Sequence, residues 1–169
     1  MSSTEPKDAE LEIRLATAED AASISSVLFR SFIEYKSAYT AEGFAATCPE
    51  PEQIKKRLTE GPVWLALLQG TPVATVSAVS RGESLYIRGM AALPEARGLR
   101  IGERLMTEVE TFASSLGCQH LFLSTTPFLS RAIALYERLG FNRTGAGPHE
   151  LYGTPLFTME RALASKTPT

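Results

Sequence analysis

The sequence predicts an α/β (α+β) domain, a mixed sheet carrying helices on its faces. Three observations predict it. Segments such as "LEIRLA" (residues 11–16) alternate apolar and charged residues, as a half-buried strand does. Other segments, such as residues 101–116, repeat apolar residues at helical spacing and stop on a glycine. In the later half of the chain strand and helix patterns alternate, which places helices against a sheet.

The elements follow in order. After the strand at 11–16, Thr17 or Asp20 can cap a helix running to about Tyr35, with Ile24, Val27, Leu28 and Ile33 as its apolar face. A looser stretch, "SAYTAEGFAATCPEP", comes next. A short helix over 51–61 starts on Pro51 and stops at Gly61, and its charged run "EQIKKR" reads as a solvated face. "VWLALLQGTPVATVSAVS" reads as two strands of a hairpin joined at Gly70-Thr71-Pro72, and "SLYIRGMAAL" (84–93) as another strand. A helix from about Gly102 buries Ile101, Leu105, Met106, Val109, Phe112, Ala113 and Leu116 and ends at Gly117. "CQHLFLSTT" (118–126) is a strand. A helix over 130–140 carries Ile133, Tyr136 and Leu139 as a stripe up to Gly140. "FNRTG" and "LFTMERAL" are two last strands around a Gly/Pro-rich connection. Residues 1–10 read as a disordered lead-in, 11–163 as one domain and 164–169 as a flexible tail.

Composition narrows the function classes. Hydrophobic residues make up 44% and charged residues 21% of 169, the balance of a globular domain. A net charge of −2 argues against a broad electrostatic grip on nucleic acid or an anionic membrane. No run is long and apolar enough to span a bilayer, and the start lacks the pattern of a secretory signal. Cys48 and Cys118 provide neither metal spacing nor a disulfide framework, so two free thiols in a cytoplasmic protein, without a metal, are expected.

The informative stretch is "LPEARGLRIGERLM" (93–106), which sets Arg97, Gly98, Arg100 and Gly102 where a helix begins. A helix N-terminus has backbone N–H groups without intrahelical partners and a partial positive charge. Glycines keep that end bare, and the arginines add charge beside it. A strand, a tight basic turn and a helix form a seat for phosphate or pyrophosphate. The turn lacks the Gly-Lys-Ser/Thr of a P-loop and the spacing of a dinucleotide fingerprint. The alternative is that Gly98 only makes the turn and the arginines are solvated.

"MAALPEARGLRIGERLM" together with "ALYERLGF" (134–141) resembles the GNAT superfamily of N-acetyltransferases. Arg97 matches the first position of that family's signature and Gly102 the last. Arg100 stands where a glycine is usual, which fits if the backbone keeps φ negative. Leu129 stands where the family often has an asparagine. The resemblance implies a mixed, mostly antiparallel sheet of six to seven strands with about four flanking helices. It implies acetyl-CoA as co-substrate. The pyrophosphate would rest on the backbone of Arg97, Gly98, Leu99, Arg100, Ile101 and Gly102. The pantetheine arm would pair with Met90, Ala91, Ala92 and Leu93, in a gap where this strand and "LFLST" splay apart.

The acceptor would be a primary amine of a small molecule or peptide. Its attack needs a held oxyanion, for which the resemblance offers a backbone N–H near Ala91, and a protonated leaving thiolate. Tyr136 matches the family's usual acid, and a phenol of pKa ~10 can protonate a thiolate of ~8.5. A tyrosine on a helix stripe also serves simply as core. Candidates for the base are Glu34, Glu83, His149 and Glu150, of which His149 and Glu150 lie in a loop that contacts acceptor in such proteins. Arg88, a charge inside a strand, either faces the acceptor cleft and holds a carboxylate or sits on an exposed edge. Phe32, Tyr35, Tyr39 and Phe44 wall the acceptor pocket or seal the core. The family is often dimeric, which makes a homodimer one expectation. A CoA-binding sensor or regulatory module without turnover is the competing reading.

Overall fold

A computed structural model describes residues 10–146 and 149–163. The expected lead-in lies outside the described residues except for Glu10, as does the expected tail. Eight strands form the sheet: β1 (Leu11–Leu15), β2 (Val63–Leu68), β3 (Thr71–Arg81), β4 (Ser84–Ala92), β5 (His120–Thr125), β6 (Asn142–Arg143), β7 (His149–Leu151) and β8 (Thr154–Ala162). Five α-helices accompany them: α1 (Ala21–Phe32), α2 (Ala41–Thr47), α3 (Pro51–Glu60), α4 (Ile101–Ser115) and α5 (Ser130–Arg138). The sheet order is β1-β2-β3-β4-β5-β8-β6, with β7 also paired to β8. All pairings are antiparallel except β4 with β5.

The sheet is mixed and mostly antiparallel, with one strand and one helix more than the sequence suggests. The extra helix is α2, inside the stretch read as loose. Its cap is Thr40, whose Oγ1 accepts from the Gly43 N–H at 3.0 Å. The extra strand is β7, only three residues long and too short to leave a periodic signal. The first hairpin turns one residue earlier than expected. Gln69 (φ 52°) and Gly70 (φ 78°) form the bend, and Pro72 is already in β3. Ile33 leaves the apolar face because the chain tightens into a 3₁₀ turn over Ile33–Ala38, leaving Ile33 41% exposed.

The core forms on both faces of the sheet. Every residue of β3 from Val73 to Ala78 is buried, as befits a central strand with helices on either side. Val63, Ile24, Leu28 and Ile54 meet on the α1–α3 side. On the other side the Trp64 ring meets Phe112 of α4 edge-on, 5.8 Å between centroids. Ile101, Leu105, Met106, Val109 and Ala113 are buried along α4, while Leu116 is exposed. At the far end of the sheet, the Thr40 N–H donates to Thr154 Oγ1 at 2.9 Å and its hydroxyl to the Tyr152 carbonyl at 2.8 Å. These bonds tie the β7–β8 hairpin to the start of α2.

Candidate functional site

The site exists because two neighbouring strands part. β4 and β5 pair only at Ser84–His120, Leu85–Leu121 and Tyr86–Phe122. Beyond Tyr86 no ladder joins them. A β-bulge in β4 sets the divergence: between Thr75↔Ala91 and Ser77↔Arg88, the single residue Val76 faces both Gly89 and Met90. Gly89 holds the bulge at φ 64°, a left-handed conformation that glycine adopts without penalty. A Cβ there would come within 3.2 Å of the Arg57 guanidinium, so the missing side chain also makes room for that arginine.

The wedge between the strands opens into a cavity of about 870 Å³, large enough for a cofactor-sized ligand. One wall is β4 from Tyr86 to Ala92, followed by Arg97, Gly98, Arg100, Ile101 and Gly102. The facing wall is Leu123 to Thr126 with Leu129, Ala132, Leu135 and Tyr136. Ser31, Phe32, Tyr35, Tyr39, Leu151 and Tyr152 close the far end. Among the described residues three buried side-chain polar atoms lack a hydrogen-bond partner, Ser31 Oγ, Arg88 Nε and Thr126 Oγ1, and all three residues line this cavity. Buried polar groups are normally satisfied, so this concentration marks a place for a ligand. Six arginines line the cavity (57, 88, 97, 100, 131 and 138) against one acid, Glu103, in a chain of net charge −2.

The turn before α4 presents the helix end openly. Arg100 is the N-cap at φ 58°, ψ 26°, without a side-chain capping bond. This corrects the expectation of negative φ: the left-handed conformation persists although the residue is not glycine. Gly98, at φ 89°, has nothing within 4 Å of where a Cβ would point. A Cβ on Gly102 would meet Leu135 Cδ2 at 2.8 Å, so α4 and α5 approach closely there. Arg97 is drawn sideways, pairing with Glu34 at 2.7 Å and donating to the Ser31 carbonyl at 3.4 Å.

The remaining candidates divide by position. Met90, Ala91, Ala92 and Arg88 line the cavity. Leu93 lies outside the lining, buried, its N–H donating to the Val73 carbonyl at 2.8 Å. Leu99 also lies outside, packed against the core. His149 and Glu150 sit exposed on β7, while the next two residues, Leu151 and Tyr152, reach the cavity. Of the four base candidates none lines it. Tyr136 is buried and lines the cavity, and its hydroxyl has no hydrogen-bond partner among the described residues. Burial, with Tyr39 nearby, raises its pKa, so it is protonated throughout the neutral range. Burial also pushes Tyr39 up to about 12 and the Cys48 thiol up to about 11, which leaves Cys48 inert.

Several cavity residues escaped the sequence, among them Ser31, Thr126, Arg131 and Arg57. Arg57 belongs to the run read as a solvated face, yet it turns inward over Gly89. Only its spacing of three from buried Ile54 could have signalled this. Among the described residues no group of three His, Cys, Asp or Glu is placed to hold a metal, and no helix is long and apolar enough to cross a membrane.

Comparison with known proteins agrees with this geometry. The model of the acetyltransferase (GNAT) family matches residues 28–141. An uncharacterized N-acetyltransferase of Escherichia coli K12, YjgM, is 28% identical over 136 residues, 76% of this chain and 80% of its own length. The PaiA N-acetyltransferase of Thermoplasma acidophilum, solved with coenzyme A, superposes with a TM-score of 0.77 at 18% identity, covering 90% of this chain and 99% of that one. The acetyltransferase yncA of Salmonella typhimurium, solved with acetyl-CoA, gives 0.69 at 17% identity, over 94% and 97%. The family match, on a sheet opened between β4 and β5, makes this chain an N-acetyltransferase of the GNAT family.

Proposed function

We propose that the protein transfers the acetyl group of acetyl-CoA to a primary amine of a small molecule or peptide by direct attack, with Tyr136 as general acid. The supporting observation is Tyr136, a buried residue on the wall of the cavity between the parted strands, with no hydrogen bond to its hydroxyl among the described residues. When bound, acetyl-CoA supplies the activated acetyl thioester. The bare α4 N-terminus, with Gly98, Arg100 and Gly102, binds the diphosphate. The unladdered edge of Met90, Ala91 and Ala92 orients the pantetheine arm, and an N–H near Ala91 stabilises the oxyanion. Arg97 shares the phosphate seat once it leaves Glu34.

Tyr136 delivers its proton to the departing sulfur. Its raised pKa does not spoil the match, because the same dry wall destabilises the thiolate it protonates. Among the described residues Glu103 is the only acid in the lining, and it sits in the first turn of α4. The acceptor ammonium therefore loses its proton to water. The test is thiol release from acetyl-CoA across a panel of amines. Tyr136→Phe is expected to lower kcat by at least tenfold, within the range of general acid catalysis, while the Kd for CoA stays within twofold. Equal turnover in that variant removes Tyr136 from the mechanism. Binding of acetyl-CoA with no release for any amine favours a sensor.

A further inference from the structure

We propose that the acceptor carries a carboxylate, and that Arg57 and Arg88 form the subsite that holds it, so the substrate class is a free amino acid or a comparable aminocarboxylate. The inference rests on the acetyl-transfer reading and specifies its acceptor. Arg57 comes from α3 and Arg88 from β4, and both line the cavity. They meet at the bulge: Arg88 precedes Gly89, and the Arg57 guanidinium lies over Gly89, 3.2 Å from its Cβ position. With a rise of ~3.3 Å per strand residue, Arg88 lies next to the edge that orients the thioester arm. An anion there is within one short molecule's length of the reacting carbonyl.

The charges are unbalanced in a telling way. Glu60 at the rim pairs with Arg88. Arg57 has no hydrogen-bond or ion-pair partner among the described residues. The Arg88 Nε is buried and unpartnered. Two guanidinium groups against one carboxylate leave one positive charge facing the cavity. Burial, then the neighbouring Arg88, lowers the Arg57 pKa, and Tyr86 and Glu60 offset only part of that. A cation desolvated and unpaired is costly unless something fills the place. One excess charge suits a monoanion, and planar donor forks suit a carboxylate. Ser77 Oγ donates to the Arg88 carbonyl at 3.0 Å and fixes the strand where that side chain departs.

The experiment compares each L-amino acid with its carboxamide as acceptor, and measures binding of both to the CoA complex by calorimetry. Wild type is expected to prefer the acids by 10- to 100-fold in kcat/KM. Arg57→Met and Arg88→Met should collapse that preference to below threefold, with the Kd for CoA unchanged, and Arg57→Lys should restore part of it. Thermal unfolding confirms that the variants fold. Equal use of acids and amides by wild type overturns the proposal, as does an undiminished preference in both Met variants. Tighter binding of inorganic phosphate than of any amino acid overturns it as well. Should no amine be acetylated, the calorimetry still decides: carboxylate binding lost in Arg57→Met upholds the subsite while the transfer reading falls, and no carboxylate binding ends both.

Discussion

Arg100 offers the sharpest test of how the proposed pyrophosphate seat is built. It is an L-residue at φ 58°, ψ 26°, and its side chain makes no hydrogen bond or ion pair among the described residues to offset that conformation. The left-handed region costs a non-glycine residue roughly 1–2 kcal/mol. Glycine removes that cost, but its larger unfolded-state entropy returns ~0.4–1 kcal/mol. Arg100→Gly should therefore stabilise the protein by about 0.5–1 kcal/mol. Arg100→Ala keeps the backbone penalty and loses the same guanidinium, so the pair of variants isolates the backbone from the charge. Urea denaturation reads the difference directly. With an m-value of ~1–3 kcal/mol/M the glycine variant should unfold about 0.2–1 M later than the alanine variant, at equal m. Both should bind CoA about tenfold more weakly than wild type, since both lose one charge-assisted contact. Equal midpoints for the two variants would refute the left-handed assignment and, with it, the account of why this helix end stands open.

Three further outcomes are expected. Glu34→Gln releases Arg97 from its 2.7 Å pair and should tighten CoA binding about two- to fivefold by calorimetry, the scale of a partly exposed ion pair; weaker binding would mean that Glu34 positions the arginine instead. Asp20 is held at about 2 by its hydrogen bonds from Arg14, which contribute stability above the ordinary value of 3.8 that is lost as pH falls through 2. Solvent screening at Arg14, 39% exposed, reduces that contribution to about 1 kcal/mol, so Asp20→Asn should cost this at pH 7 and progressively less as pH falls from 3.8 through 2 in chemical denaturation. Leu85 is fully buried where β4 still pairs with β5, and Leu85→Ala should cost about 3 kcal/mol, lowering Tm by roughly 6–12 °C; a loss under 1 kcal/mol would show that the junction collapses around the gap.

The fold was legible where periodicity is long. α4 and α5 declared themselves by apolar spacing and by the glycines that end them, and β1 by alternation. α2 stayed hidden because seven residues give less than two turns of pattern, and its stability comes from the Thr40 cap and from Thr154, 114 residues away. Of the candidate site, the basic turn against a helix end was legible as a local pattern. The site's other half was not. Arg57 lies in a run of four charges among six residues, and nothing local says that one of them faces a gap created by a bulge three elements later. The reverse holds for His149 and Glu150. Their chemistry drew notice, yet both lie exposed on a three-residue strand that pairs with β8 through the tight turn at Tyr152–Gly153.

The opening between β4 and β5 also bears on how the molecule avoids its own kind. Unlatched strand backbone is an invitation to intermolecular pairing, and proteins usually blunt it with charge, proline or a cover. Here the invitation is issued indoors. The unladdered edge lies inside a cavity walled by β5, α5 and the turn before α4, not on the outer rim of the sheet. The enclosure that would let this edge guide a cofactor, on the proposed reading, thus also shields it from pairing with another molecule.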